Sequence, residues 1–138
     1  MRNFVLDASV TMAWCFEDED SSEAWSVLDR LQEDRAIVPS LWPLEVNNVL
    51  VQAERRQRIT VNGTTEFLSF LSTYVIEIDR ETESRTWTET LQLARQKQLS
   101  LYDASYLELA LRHTLPLATL DRELVSAARS LGVATLPQ

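Results

Sequence analysis

The segment Phe4-Val5-Leu6-Asp7 is a short apolar run that ends in a carboxylate, and it indicates how the chain folds. An apolar run of this length, bounded by a polar residue, is typical of a buried strand. The same arrangement recurs near the other end of the chain, where Leu117-Ala118-Thr119-Leu120 is followed by Asp121. Three further apolar runs predict the remaining strands: Ala36–Val38, Tyr74–Ile78 and Val133–Leu136.

Amphipathic stretches separate these runs and predict helices between the strands. The first helix begins at Asp20-Ser21-Ser22-Glu23, where a capping residue is followed three positions later by Glu, and it continues to about Asp34. The other predicted helices are Leu41–Arg56, Thr64–Thr73 after a break at Asn62-Gly63, Thr82–Gln98, Tyr102–Arg112 and Arg122–Ser130. Short strands that alternate with helices predict an α/β three-layer sandwich with a mainly parallel sheet of about five strands, in a single domain over residues 1–138.

The composition excludes several kinds of site. The chain has 138 residues, of which 45% are hydrophobic and 25% charged, and its formal net charge is −8. The two glycines, Gly63 and Gly132, cannot supply the glycine-rich loops that bind dinucleotides or nucleoside triphosphates. One histidine and one cysteine, His113 and Cys15, cannot form a zinc site of about four ligands. Carboxylates are therefore the main catalytic groups that remain.

The location that the sequence predicts is the cytoplasm. A lone cysteine excludes an internal disulfide and suits a reducing compartment. The first thirteen residues make a poor signal peptide because Asp7 interrupts their short apolar stretch. No run approaches the roughly 18 apolar residues that a membrane span requires, so we expect no membrane association.

Four of the acidic residues occupy special positions in the predicted fold. Asp7 and Asp121 each follow a predicted strand directly, at its carboxyl end. Asp103 opens the apolar helix that leads back to the sheet, and Glu45 lies in the first two turns of the helix after Ala36–Val38. In a β-α-β unit the strands end, and the helices begin, at the same edge of the sheet. We therefore expect the four carboxylates to converge there.

Converged carboxylates favour a divalent metal ion. Two unit charges 4 Å apart repel by about 4 kcal/mol at an effective dielectric constant of 20, so several cannot stay ionised together without a cation. A site of oxygen ligands completed by water suits Mg²⁺ or Mn²⁺. Such ions hold a phosphodiester, activate a water molecule and stabilise the leaving oxygen. The residues alone thus predict a metal site that acts on phosphate, without identifying the substrate.

Simpler roles for the same acids remain open at this stage. Each of the three aspartates could instead cap the helix that follows it. Glu45 lies four residues from both Leu41 and Val49, which places it on the predicted apolar stripe, where an unpaired carboxylate is costly. Asn48 lies one turn further and could donate a hydrogen bond to it. One of three arginines could also neutralise Glu45, although they lie more than two helical turns away: Arg55, Arg56 or Arg58.

Four segments of the chain, taken together and in this order, strongly resemble the PIN-domain ribonucleases, and among these the VapC toxins of bacterial toxin–antitoxin pairs. The segments are Leu6–Val10 (LDASV), Trp42–Leu50 (WPLEVNNVL), Leu101–Ala110 (LYDASYLELA) and Leu117–Asp121 (LATLD). The resemblance extends from Phe4 to Leu136. It implies a parallel sheet with the strand order 3-2-1-4-5.

The resemblance also implies the roles of particular residues. It implies a catalytic site of four acids, Asp7, Glu45, Asp103 and Asp121. Of these, Asp7, Asp103 and Asp121 would bind Mg²⁺ or Mn²⁺, and Glu45 would bind a second ion or orient the attacking water. Three polar residues would support the acids: Thr119, with Ser9 and Asn48 as weaker candidates. The family cleaves single-stranded or loop regions of RNA, works as a homodimer and is silenced by a cognate antitoxin.

The charge of the chain leaves other functions open. A net charge of −8 disfavours RNA binding by bulk attraction. The cluster Arg55, Arg56 and Arg58 could contact RNA phosphates, or it could simply complement the dipole at the end of its helix. The alternatives are a catalytically inactive interaction module, an RNA-processing nuclease outside a toxin–antitoxin pair, and a phosphoacceptor receiver domain, which would need Lys97 at the site.

Overall fold

The computed structural model describes residues 2–16 and 22–137, and it contains the predicted parallel sheet. All four strand pairings are parallel, and the order is β3-β2-β1-β4-β5, as the resemblance implied. The strands are β1 (Asn3–Leu6), β2 (Arg35–Val38), β3 (Ile76–Ile78), β4 (Leu117–Ala118) and β5 (Thr135–Leu136).

Helices flank the sheet on both sides. Those within the described residues are α1 (Ala8–Ala13), α2 (Ser22–Leu31), α3 (Trp42–Arg55), α4 (Val61–Ser72), α5 (Thr82–Thr86), α6 (Glu89–Lys97), α7 (Leu101–His113) and α8 (Arg122–Ser130). In the central strand β1, Phe4, Val5 and Leu6 are at most 1% exposed. Because successive strand residues point to opposite faces, both faces of β1 are covered, and the predicted three-layer α/β sandwich is confirmed.

The predicted helices differ from the structure in three main respects. The predicted break at Asn62-Gly63 is wrong: the Thr60 side chain accepts a hydrogen bond from the Gly63 amide and so caps a helix that already begins at Val61. The predicted helix Thr82–Gln98 is two helices, because Thr88 has φ −129° and ψ −87°, outside the helical region. A short helix, α1, directly after β1 was not predicted. The predicted cap Asp20 lies outside the described residues.

Among the described helices, α7 contains the longest uninterrupted run of buried residues. Residues 104–110 are all buried, which confirms the prediction that this stretch is apolar nearly all round. Tyr106, Leu107 and Leu109 are fully buried, and α7 packs on β1. The helix therefore holds its first turn close to the end of β1. None of the helices that the structure describes has the length and apolar character that crossing a membrane requires.

Candidate active site

One open pocket at the carboxyl edge of the sheet is lined by all four of the singled-out acids. Asp7 follows β1, Glu45 lies in the first turn of α3, Asp103 lies in the first turn of α7, and Asp121 precedes α8. These residues are up to 114 positions apart in the chain, and the parallel topology brings them together. Strands that end, and helices that begin, at one edge account for this placement.

Asp7 is the most deeply buried of the four carboxylates. It is 5% exposed, and its Oδ2 atom accepts hydrogen bonds from Ser9 Oγ at 2.8 Å and Thr119 Oγ1 at 2.7 Å. Burial raises the pKa of Asp7 above its ordinary value even though these hydrogen bonds oppose the shift. Asp7 occupies the N-cap position of α1, but its side chain makes no full capping hydrogen bond to that helix.

The hydroxyls of Ser9 and Thr119 link Asp7 to the end of β4. Thr119 Oγ1 accepts a hydrogen bond from the Asp121 amide at 3.1 Å, and Ser9 Oγ accepts one from the Leu120 amide at 3.1 Å. Each hydroxyl therefore donates to Asp7 and accepts from the segment that carries Asp121. This double use of two small side chains fixes the separation between the two aspartates.

Glu45 is half-buried and has one hydrogen-bond partner among the described residues. Its Oε1 atom accepts a hydrogen bond from the Tyr106 hydroxyl at 2.5 Å. Burial raises the pKa of Glu45, the Tyr106 hydrogen bond opposes this, and the charges of Asp7 and Asp103 raise it further. No described ion pair joins Glu45 to Arg55, Arg56 or Arg58. The predicted donor Asn48 lines the pocket but makes no described hydrogen bond to Glu45.

The predicted apolar stripe of α3 is displaced in the structure. Its buried residues are Trp42, Val46, Leu50 and Ala53, whereas Val49 is 36% exposed. Glu45 therefore lies at the edge of the buried stripe rather than within it. This position lets its carboxylate reach the pocket without being fully removed from water.

Asp103 and Asp121 differ in whether their side chains cap a helix. The side chain of Ser100, not Asp103, caps α7 by accepting a hydrogen bond from the Asp103 amide at 3.1 Å. Burial, together with the charges of Asp7 and Asp121, raises the pKa of Asp103 to about 6. Asp121 does cap its helix: its Oδ1 atom accepts hydrogen bonds from the amides of residues 123 and 124. It caps α8 and lines the pocket at the same time.

The donor set fits a hydrated Mg²⁺ or Mn²⁺ ion better than an ion enclosed by protein. Among the residues that the structure describes, no three acidic, histidine or cysteine side chains lie close enough to hold one ion together. Structural zinc needs such a closed set. Mg²⁺ instead binds through one or two carboxylates and keeps several waters. In the described part of the chain, Glu45 and Asp121 each keep one carboxylate oxygen, Oε2 and Oδ2, without a hydrogen-bond partner.

Arg58 is the one cation among the described residues that line the pocket. Its guanidinium carbon lies 4.5 Å from the centroid of the Phe16 ring, in a cation–π contact. Arg55 and Arg56 are exposed and do not line the pocket. Of the three predicted RNA-binding arginines, the structure thus brings only Arg58 to the acids.

Sequence reasoning missed two polar contacts that the structure shows. The sequence pattern predicts Tyr106 only as part of an apolar helix, although this residue lies three positions after Asp103 and so shares its helix face. A buried cluster was also missed, in which Arg112 pairs with Asp79 and Glu108 at 2.9 Å each. The i, i+4 spacing of Glu108 and Arg112 was the available signal.

Comparisons with known proteins identify the architecture. The PIN domain profile matches residues 4–130. Among solved structures, PAE2754 from Pyrobaculum aerophilum is 24% identical with a TM-score of 0.69, covering 97% of this chain and 90% of that chain. VapBC2 from Rickettsia felis, bound to a DNA fragment from its promoter, is 14% identical with a TM-score of 0.67 and 96% coverage of both chains.

A third similar structure carries a stated activity. VapC20 from Mycobacterium tuberculosis, a toxin that cleaves the sarcin-ricin loop, is 14% identical with a TM-score of 0.63, covering 90% of this chain and 94% of that chain. No curated protein sequence gives a significant match. At these identities the structural likeness establishes the fold.

Proposed function

The chain belongs to the PIN-domain family, and we propose that it is a divalent-metal-dependent endoribonuclease that hydrolyses RNA phosphodiester bonds. The observation that carries the proposal is the lining of one pocket by Asp7, Glu45, Asp103 and Asp121, which come from four separate segments. The raised pKa values of Asp7, Glu45 and Asp103 are what crowded, partly desolvated carboxylates produce in the absence of a cation.

Each pocket residue has a role in the proposed hydrolysis. A bound Mg²⁺ or Mn²⁺ ion supplies Lewis-acid stabilisation of the phosphate and lowers the pKa of water. One or two of Asp7, Asp103 and Asp121 would hold this ion directly, and water would complete its coordination. Ser9 and Thr119 fix the Asp7 carboxylate.

Glu45 orients the attacking water and accepts its proton, for which a pKa above the ordinary value suits it. The water oxygen attacks phosphorus, the bond from phosphorus to the leaving sugar oxygen breaks, and that oxygen takes a proton from solvent water. Arg58, which Phe16 holds at the pocket, contacts phosphate oxygens of the bound strand.

We further propose that the enzyme is a cytoplasmic toxin that forms a homodimer and is silenced by a cognate antitoxin. The support is the motif resemblance to VapC toxins, together with the fold shared with VapC20 and with the VapBC2 complex. Expression of the chain alone should arrest growth, and co-expression of a small protein from the neighbouring reading frame should relieve the arrest and co-purify. Growth unaffected by expression, with purified protein that still cleaves RNA, would place the nuclease outside a toxin–antitoxin pair.

Metal-dependent cleavage of RNA is the direct test of the nuclease proposal. We expect the purified chain to cleave a panel of structured and single-stranded RNAs with Mg²⁺ or Mn²⁺ and to stop with excess EDTA. Asp7→Asn should abolish cleavage, whereas Glu66→Gln, which alters an exposed carboxylate on α4 outside the pocket, should not. Cleavage that continues in excess EDTA, or survives Asp7→Asn, would refute the proposed site.

A second candidate function, a non-catalytic interaction module, is favoured by the net charge of −8. It predicts tight binding of a protein partner with no cleavage of any RNA in the panel. A receiver domain is disfavoured because Lys97 ends α6 and does not line the pocket. Failure to take phosphate from acetyl phosphate would exclude it.

A further inference from the structure

A single tyrosine connects two of the elements that carry the pocket acids. Tyr106 of α7 is fully buried, and its hydroxyl donates a 2.5 Å hydrogen bond to Oε1 of Glu45 on α3, 61 positions away in the sequence. Asp103, three residues before Tyr106, lies on the same face of α7. The hydroxyl therefore sets the position of the Glu45 carboxylate relative to the helix that also carries Asp103.

Glu45 needs such a contact to stay in the pocket. A glutamate side chain has several rotatable bonds, and this one lies at the edge of the buried stripe with water within reach. The charges of Asp7 and Asp103 repel it. The Tyr106 hydroxyl is its one hydrogen-bond donor among the described residues. This hydrogen bond opposes both the rotation of the Glu45 side chain into water and its repulsion by the two aspartates.

The chemistry of the Tyr106 hydroxyl suits a permanent donor. Burial and the charges of Asp7 and Glu45 raise the pKa of Tyr106 above its ordinary range, so the phenol keeps its proton. A neutral hydroxyl that donates to an ionised carboxylate forms a short, charge-assisted hydrogen bond. The full burial of the ring leaves the hydroxyl little freedom to find another acceptor.

We infer that Tyr106 is a positioning residue that holds the Glu45 carboxylate in the pocket for the attack on RNA. The inference rests on the proposed nuclease function for its catalytic consequence. Its structural part, the placement of Glu45, stands independently of activity.

Crystal structures of the wild type and Tyr106→Phe test the structural part. Phe keeps the buried ring and removes only the hydroxyl, and a melting curve checks that the variant folds. We expect the Glu45 carboxylate to leave its wild-type position or to lose its electron density in Tyr106→Phe. A Glu45 carboxylate in the same place in both structures would overturn the inference.

Steady-state kinetics on RNA test the catalytic part. Loss of a hydrogen bond to a charged group should lower kcat about 10- to 100-fold and leave KM within about twofold. Tyr102→Phe is the matched control, because that tyrosine lies one turn earlier in α7, is 65% exposed and does not line the pocket; it should behave as wild type. A kcat of Tyr106→Phe within about twofold of wild type would overturn the inference. If the wild type cleaves no RNA, the nuclease proposal fails, and the crystal structures still decide whether Tyr106 places Glu45.

Discussion

At the scale of single residues, the four pocket carboxylates differ because their surroundings differ. Asp7 is buried beneath two hydroxyl donors, and Asp121 is occupied by helix capping through one oxygen. Glu45 and Asp103 are half-buried, and burial together with the negative charges of the neighbouring acids raises the pKa of each. Burial and repulsion of these ionised carboxylates destabilise the metal-free fold, and substitution should reveal this.

Asp103→Asn should stabilise the metal-free protein at neutral pH. A carboxyl whose pKa is higher in the folded than in the unfolded state destabilises the fold wherever it is ionised. For Asp103 this cost is complete above pH about 6 and disappears as the pH falls toward 3.8. Denaturant unfolding in EDTA measures this effect. At pH 7 the free energy of unfolding of Asp103→Asn should exceed that of the wild type by on the order of 1 kcal/mol, after allowance for solvent screening, and the difference should vanish on acidification.

The exposed carboxylate of Glu66 provides the control for this prediction. Glu66→Gln should leave the free energy of unfolding unchanged across the same pH range. A less stable Asp103→Asn at pH 7 would show that Asp103 is satisfied in the fold and not repelled.

Thr119→Val should impair the site by removing one hydroxyl that serves two residues. Thr119 is 2% exposed, donates to Asp7 and accepts from the Asp121 amide. Leaving these buried groups without their partner should cost about 1–3 kcal/mol of unfolding free energy and lower RNA cleavage at least about tenfold. Thr119→Ser keeps the hydroxyl and should retain most activity. Equal losses in the Val and Ser variants would show that the methyl group, not the hydroxyl, matters.

Arg58→Gln should weaken RNA binding more than Arg55→Gln or Arg56→Gln, because only Arg58 lines the pocket. Fluorescence anisotropy in an Asp103→Asn background with Mg²⁺ measures binding without cleavage. Loss of one phosphate contact should reduce the salt dependence of binding by about 0.7 in log–log slope for single-stranded RNA. Identical slopes for the three variants would indicate that Arg58 makes no specific phosphate contact.

At the scale of secondary-structure elements, a buried ion-pair cluster attaches α7 to the segment after β3. Arg112 lies between Asp79 and Glu108, and all three side chains are at most 10% exposed. Burial would raise the pKa of Asp79, but hydrogen bonds from Arg112 and Thr82 outweigh it and hold the pKa below its ordinary value. The cluster fixes the end of the helix whose first turn carries Asp103.

Arg112→Met should destabilise the fold strongly, because it leaves two buried carboxylates without a cation. Breaking a buried pair from one side costs about 3–5 kcal/mol. Arg85→Met is the matched control: Arg85 pairs at longer distance with the exposed acids Glu81 and Glu89, so its loss should cost less than about 1 kcal/mol. Unfolding curves in denaturant measure both, and equal losses would contradict a structural role for the cluster.

Helices and strands could be predicted from the sequence where apolar residues recur with a clear period. They were harder to predict where a single side-chain contact determines where an element begins or ends. The strands β1 and β4 and the helix α7 can be predicted from the pattern of apolar residues along the chain. The extent of α4 depends on the Thr60 side chain bonding the Gly63 amide, which outweighs the usual tendency of Asn-Gly to form a turn. The role of Tyr106 depends on a hydrogen bond from its hydroxyl to Glu45, which is 61 positions away in the sequence. Local sequence patterns do not predict a contact between residues so far apart.

At the scale of the whole molecule, the parallel topology determines which acids meet. The residues predict only that strand ends and helix starts share an edge; the strand order came from the resemblance and is observed in the structure. That order places β1 beside β4, and so Asp7 beside Asp121. The net charge of −8 opposes RNA binding elsewhere on the surface, so binding should depend on the metal ion and on Arg58.

Anomalous X-ray diffraction from crystals equilibrated with Mn²⁺ tests most directly whether the gathered carboxylates form a metal site. We predict an anomalous difference peak in the pocket, within coordination distance of at least two of Asp7, Glu45, Asp103 and Asp121, that Asp7→Asn weakens or abolishes. At saturating Mn²⁺, a pocket without a peak in the wild type would contradict the account.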